Sequence, residues 1–93
     1  MTLERSIENA LIREARAADV LCLKLAPASL RGWPDRTLLS DGRVIFVETK
    51  RPKGGRLSEH QKFWKVLLEE QGFDVFICST TEQAREIVER LKR

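Results

Sequence analysis

Asp35, Glu48 and Lys50 are the residues of this chain best placed by type and spacing to do chemistry together. The first stands in Arg31-Gly32-Trp33-Pro34-Asp35-Arg36 and the other two in Val47-Glu48-Thr49-Lys50. Between them lie two short apolar runs split by Asp41-Gly42. Neighbouring carboxylates can hold a divalent cation through hard oxygen donors, and an ammonium group beside them can orient or help deprotonate a water. Asp-Gly between apolar runs is a strong signal for a two-residue hairpin turn, because both central positions of that turn need positive φ. The turn pairs Ser40 with Arg43 and Leu39 with Val44, and continuing outward it sets Asp35 opposite Glu48, with Cβ atoms about 5 Å apart. Alternation along the strand turns Lys50 to the same side as Glu48. Like charges facing each other destabilise a sheet. A cation between them is one resolution; neutralisation by Lys50 or Arg36 in a surface network, or a β-bulge that moves the acids apart, are others. The spacing leaves all of these open.

The elements around this hairpin are readable from periodicity. Leu3, Ile7, Ala10, Leu11, Ala15 and Ala18 recur at helical spacing, which predicts a helix over 3–18. Residues 20–26 (VLCLKLA), ended by Pro27, predict a strand, and DRTLLS and RVIFVETK predict the two hairpin strands. Ser58 with Gln61 forms a capping box for a helix whose apolar face is Phe63, Trp64, Leu67 and Leu68, stopped by Gly72. FDVFIC (73–78) predicts a fourth strand, and Thr80 with Gln83 caps a last helix packing through Ala84, Ile87, Val88 and Leu91. The fold class is α/β: one compact domain over 1–93, ordered α-β-β-β-α-β-α, with a central mixed sheet flanked by helices.

Composition bounds the function classes. Seventeen Lys/Arg against fourteen Asp/Glu leave a net +3 and a pI near 9.2, which permits a nucleic-acid partner without requiring one. No apolar run approaches a membrane span, and the charged start MTLERSIE is unlike a secretory leader, so a cytoplasmic protein with no membrane partner is expected. Cys22 and Cys78 sit in apolar runs with no metal-ligand spacing and read as buried, reduced thiols. Four of the seven residues 50–56 are basic, and glycines 54 and 55 make that stretch a flexible loop.

Gly32-x-Pro34-Asp35, followed after twelve residues by Glu48-x-Lys50, resembles the PD-(D/E)xK nuclease superfamily, and within it the VRR-NUC (virus-type replication-repair nuclease) family. The family order runs from a glutamate at the first helix to a lysine at the first strand. R-G-x-P-D-R, an apolar strand into E-x-K, a Gly-rich basic loop and a helix opening S-x-x-Q follow. The matching residues are Glu4, Lys24, RGWPDR, VETK, RPKGGRLS and Gln61, so the resemblance covers essentially the whole chain. Trp33 departs from it, in a slot the family usually gives to an aliphatic residue.

The resemblance implies a restriction-endonuclease-like core and a phosphodiester hydrolase that uses Mg²⁺, with Mn²⁺ as substitute and no organic cofactor. Its metal ligands would be Asp35, Glu48 and the backbone carbonyl of Thr49, joined by Glu4, with Glu8 one turn later as the alternative. Lys50 and Gln61 would complete the catalytic set. Lys24, Arg31, Arg36, Arg51, Lys53 and Arg56 would contact DNA. Small stand-alone relatives resolve Holliday (four-way) junctions as homodimers in phage or mobile-element replication, so that substrate and state are expected here. A less selective nuclease acting on flaps, single strands or duplex, and a DNA-binding module without catalysis, are the alternatives.

Overall fold

The computed structural model describes residues 3–93. Its elements are α1 (Glu4–Ala17), β1 (Leu21–Leu23), β2 (Arg36–Ser40), β3 (Arg43–Thr49), α2 (Glu59–Glu70), β4 (Asp74–Cys78) and α3 (Thr81–Lys92). The order is the expected α-β-β-β-α-β-α. One mixed sheet is ordered β1-β2-β3-β4, antiparallel up to β3 and parallel between β3 and β4.

The hairpin forms as its turn chemistry dictates. Asp41 and Gly42 both take positive φ, at 50° and 78°. The β2–β3 register then runs Ser40↔Arg43 through Arg36↔Val47, as the turn requires. β3 has a strand on each side and is buried from Ile45 through Thr49, which explains the near-continuous apolar run VIFV in a position covered on both faces.

Alternation along β3 sorts the core into two layers. Ile45 and Val47 join Leu38, Cys78 and Val20 under α1 and α3, which contribute Ile7, Ala10, Leu11, Ala15, Ala84, Ile87, Val88 and Leu91. On the opposite face Phe46 packs with Leu68 of α2 and with Val75, bordered by Trp33 and Val44. Trp33 meets Phe46 and Trp64 edge to face, at centroid separations of 5.6 and 5.2 Å.

Several elements depart from expectation for physical reasons. β1 is only three residues long, so Leu25 and Ala26 lie outside the sheet. Of the apolar face expected on α2, only Leu68 is buried; Phe63 is 57% exposed. One twelve-residue helix cannot cover four strands, so Leu21, Phe73 and Ile77 are left open to solvent on that side, while Phe63 and Val66 lie on the face of α2 turned away from Leu68. Cys22 is half-buried, while Cys78 is fully enclosed. The cap of α3 is half a box: Thr80 accepts from the Gln83 amide at 3.0 Å, but the Gln83 side chain takes the Ser79 amide at 2.7 Å. Among the described residues no helix is long and apolar enough to cross a membrane.

Candidate active site

The end of the sheet where β2 begins and β3 ends collects most of the candidate residues. Asp35 lies one step beyond the last β2–β3 pair, in a bend, so it is not a ladder residue. Its carboxylate closes onto the end of β3: Oδ2 accepts from the Thr49 amide at 2.8 Å and from the Thr49 hydroxyl at 2.9 Å. Glu48, 3% exposed, points from the same strand end. Burial pushes its carboxyl up to about 9, helped by a hydrogen bond with Asp35 and by the Asp35 charge; Lys50 opposes the shift and Glu4 adds slightly to it. The two acids therefore crowd one strand end, and that crowding disfavours charge on Glu48.

Gln61 joins the capping box and the acids in one residue. Its Oε1 accepts from the Ser58 amide at 2.8 Å while Nε2 donates to Glu48 Oε1 at 3.2 Å. The first turn of α2 is thus tied to the site by the same side chain that caps it. Lys50 follows immediately, its amide bound to the Cys78 carbonyl of β4 at 2.9 Å. The Gly-rich loop folds back over it: a Cβ at Gly55 would stand 2.6 Å from the Arg51 carbonyl and 3.0 Å from the Lys50 Cβ. Leu3, Glu4, Lys50, Arg51, Gly54, Gly55 and Arg56 line an open cleft of about 480 Å³ there.

Gly32 explains how the loop carrying Asp35 reaches its place. Its φ is +89°, and a Cβ would come within 2.4 Å of the His60 backbone, so the loop presses against the start of α2 in a way only glycine permits. Trp64 secures the same contact by donating its indole N–H to the Arg31 carbonyl at 2.9 Å.

The remaining candidates divide. Glu4 is exposed and faces the acids only at a distance; among the described residues no three His, Cys, Asp or Glu side chains cluster closely enough to hold one ion together. Glu8, the alternative, is engaged by Arg36 at 2.8 Å. That ion pair is mostly sheltered, with side-chain exposures of 16% for Arg36 and 21% for Glu8, so Arg36 ties α1 to β2. Lys24 is exposed just beyond β1, whose Leu23 pairs with Thr37, so it emerges at the Asp35 end of the sheet. Arg31, Arg51, Lys53 and Arg56 are exposed in the adjoining loops. The Thr49 side chain, which grips Asp35, was not singled out by the sequence reading; a hydroxyl at a buried strand position otherwise filled by Ile45 and Val47 was the available signal.

A four-stranded mixed sheet whose central strand delivers an acid and a lysine beside a second acid is the arrangement of a nuclease of the PD-(D/E)xK type. A family model, the VRR-NUC domain, matches residues 3–82 of the 93, and the chain belongs to that family. It is accordingly a nuclease, a hydrolase acting on DNA. A search of curated proteins returned no match to the chain.

Proposed function

We propose that this nuclease is a divalent-metal-dependent endonuclease that cuts branched DNA, four-way junctions foremost, as a homodimer. The observation that carries the reading is the meeting of two carboxyls at one strand end: Asp35 closes onto Thr49, Glu48 is buried beside it, and Lys50 lies two residues beyond Glu48. A structural role alone would favour an acid–amide or acid–base pair there, because two carboxyls can coexist only by keeping a proton. A hard divalent ion suits that donor set, with Asp35, Glu48 and the Thr49 carbonyl as its protein ligands and Glu4 contributing through water. Bound there, Mg²⁺ or Mn²⁺ would offset the charge of the phosphodiester and acidify a water.

The chain's own groups supply the rest. Lys50, its main chain anchored to β4, would orient the attacking water and stabilise the charge that builds on the phosphate. Gln61 holds Glu48 in position. Lys24, Arg31, Arg51, Lys53 and Arg56 surround the site with exposed positive charge suited to phosphate contacts, whereas Arg36 is occupied by Glu8. The apolar side left open by α2 supports a second copy as partner. A two-fold dimer would present two such sites to the opposed strands of a junction.

Purified protein incubated with Mg²⁺ and an end-labelled four-way junction tests this. Paired, symmetrical nicks that disappear in Asp35→Ala are expected. Intact junctions under both Mg²⁺ and Mn²⁺ would refute the catalytic reading, and cutting of flaps or plain duplex in preference would refute the junction assignment alone.

A further inference from the structure

We infer that the side chain of Thr49 is a positioning residue, fixing which oxygen of Asp35 is free to bind the ion; this rests on the metal-dependent reading above. The hydroxyl and the amide of Thr49 both donate to one oxygen, Oδ2, at 2.9 and 2.8 Å. With that oxygen held twice, Oδ1 is the one left for a cation. The amide alone would leave Oδ2 held by a single donor of β3. A second donor from the same residue, on a stem immobilised at 1% exposure, stops that rotation.

The position makes the hydroxyl unusual. Ile45, Val47 and Thr49 form the buried part of one row along β3 facing the layer under α1 and α3, and Thr49 is the polar residue among these three. Valine has nearly the same shape and a higher preference for burial, so packing by itself gives no reason for the oxygen. Asp35 sits in a bend just past the ladder, so no strand pairing orients it. The Thr49 hydroxyl supplies what the missing ladder bond would have given.

Isothermal titration of the metal-free protein with Mn²⁺, comparing the parent with Thr49→Val and Thr49→Ser, tests this. Loss of a group that orients a metal ligand weakens metal affinity roughly 10- to 100-fold. Thr49→Val is expected to fall in that range with an unchanged junction dissociation constant measured without metal, and Thr49→Ser to stay within about threefold of the parent, the scatter expected of a mutant that keeps the donor. Should Thr49→Val fail to fold, Thr49→Ala against Thr49→Ser isolates the same single oxygen. Parent-like Mn²⁺ affinity in Thr49→Val, or equal weakening in the serine variant, overturns the role. A parent that takes up no Mn²⁺ overturns the metal site itself and this role with it, a result distinct from either.

Discussion

The forced proton on Glu48 makes the metal-free protein lose stability as pH rises, and the size of that loss follows from the structure. An unfolded glutamate titrates near 4.5, and in the fold Glu48 is pushed up to about 9. Between those values the native state holds one proton that the unfolded state has lost. Stability tied to that proton is fully present below about pH 4.5 and drains away as pH climbs toward 9. A one-proton difference is worth about 1.4 kcal/mol per pH unit, so moving from pH 6 to pH 8 costs about 2.7 kcal/mol. That is a large share of the roughly 5–15 kcal/mol that holds a small domain together. With a urea m-value of about 1–1.5 kcal/mol/M, the midpoint drops by about 2 M. The Cys78 thiol, raised to about 11 by burial, adds a loss of the same sign only above the ordinary thiol range near 9. Glu48→Gln keeps a neutral donor against Asp35 and removes the titration. The assay is urea unfolding followed by circular dichroism, from pH 5.5 to 8.5 in the presence of a chelator. A falling midpoint in the parent and a flat one in Glu48→Gln are expected; parallel profiles would refute the reasoning.

Saturating Mg²⁺ replaces the proton as the counter-charge, so it should flatten the parent's pH profile and leave that of Asp35→Ala unchanged, in the same unfolding series. Lys50→Ala should bind a labelled junction as tightly as the parent in gel shifts yet cut it at least about a hundredfold more slowly, the scale of losing one positioned proton-transfer group. Gly32→Ala must give up a φ of +89° and clear the His60 backbone, so it should lower stability by roughly 1–3 kcal/mol and weaken Mn²⁺ binding, read by thermal melting and calorimetry. Phe63→Ser, on the open side of α2, should shift the protein toward monomer in light scattering without changing its circular dichroism.

The hairpin was legible in the sequence because a two-residue turn dictates pairing by counting alone, although the expected Asp35–Glu48 pair falls just outside the ladder. Asp41-Gly42 set the register, and the register brought Asp35 to the end of β3. Counting stops where the ladder stops. It could not show Asp35 turning off the strand line to grip Thr49, since that depends on the bend created by Gly32 against His60. The Glu8–Arg36 pair was equally hidden, because it joins residues twenty-eight apart through the docking of α1 on β2. Phe63 and Leu67 are apolar, but α2 docks through Trp64 and Leu68, and which side of a helix meets the sheet is a tertiary fact when apolar residues lie on more than one side.

β3 is one of the two strands with a neighbour on each side, and it carries Glu48 and Thr49 and leads directly into Lys50. Partial openings of such a sheet begin at its rims, here the three-residue β1 on one flank and β4 on the other. The amides of Val47 and Thr49 should therefore be among the slowest in the chain to exchange with deuterated solvent. A molecule that breathes at its margins would keep Glu48 and Thr49 on an intact strand while the β4 anchor of Lys50 opens first.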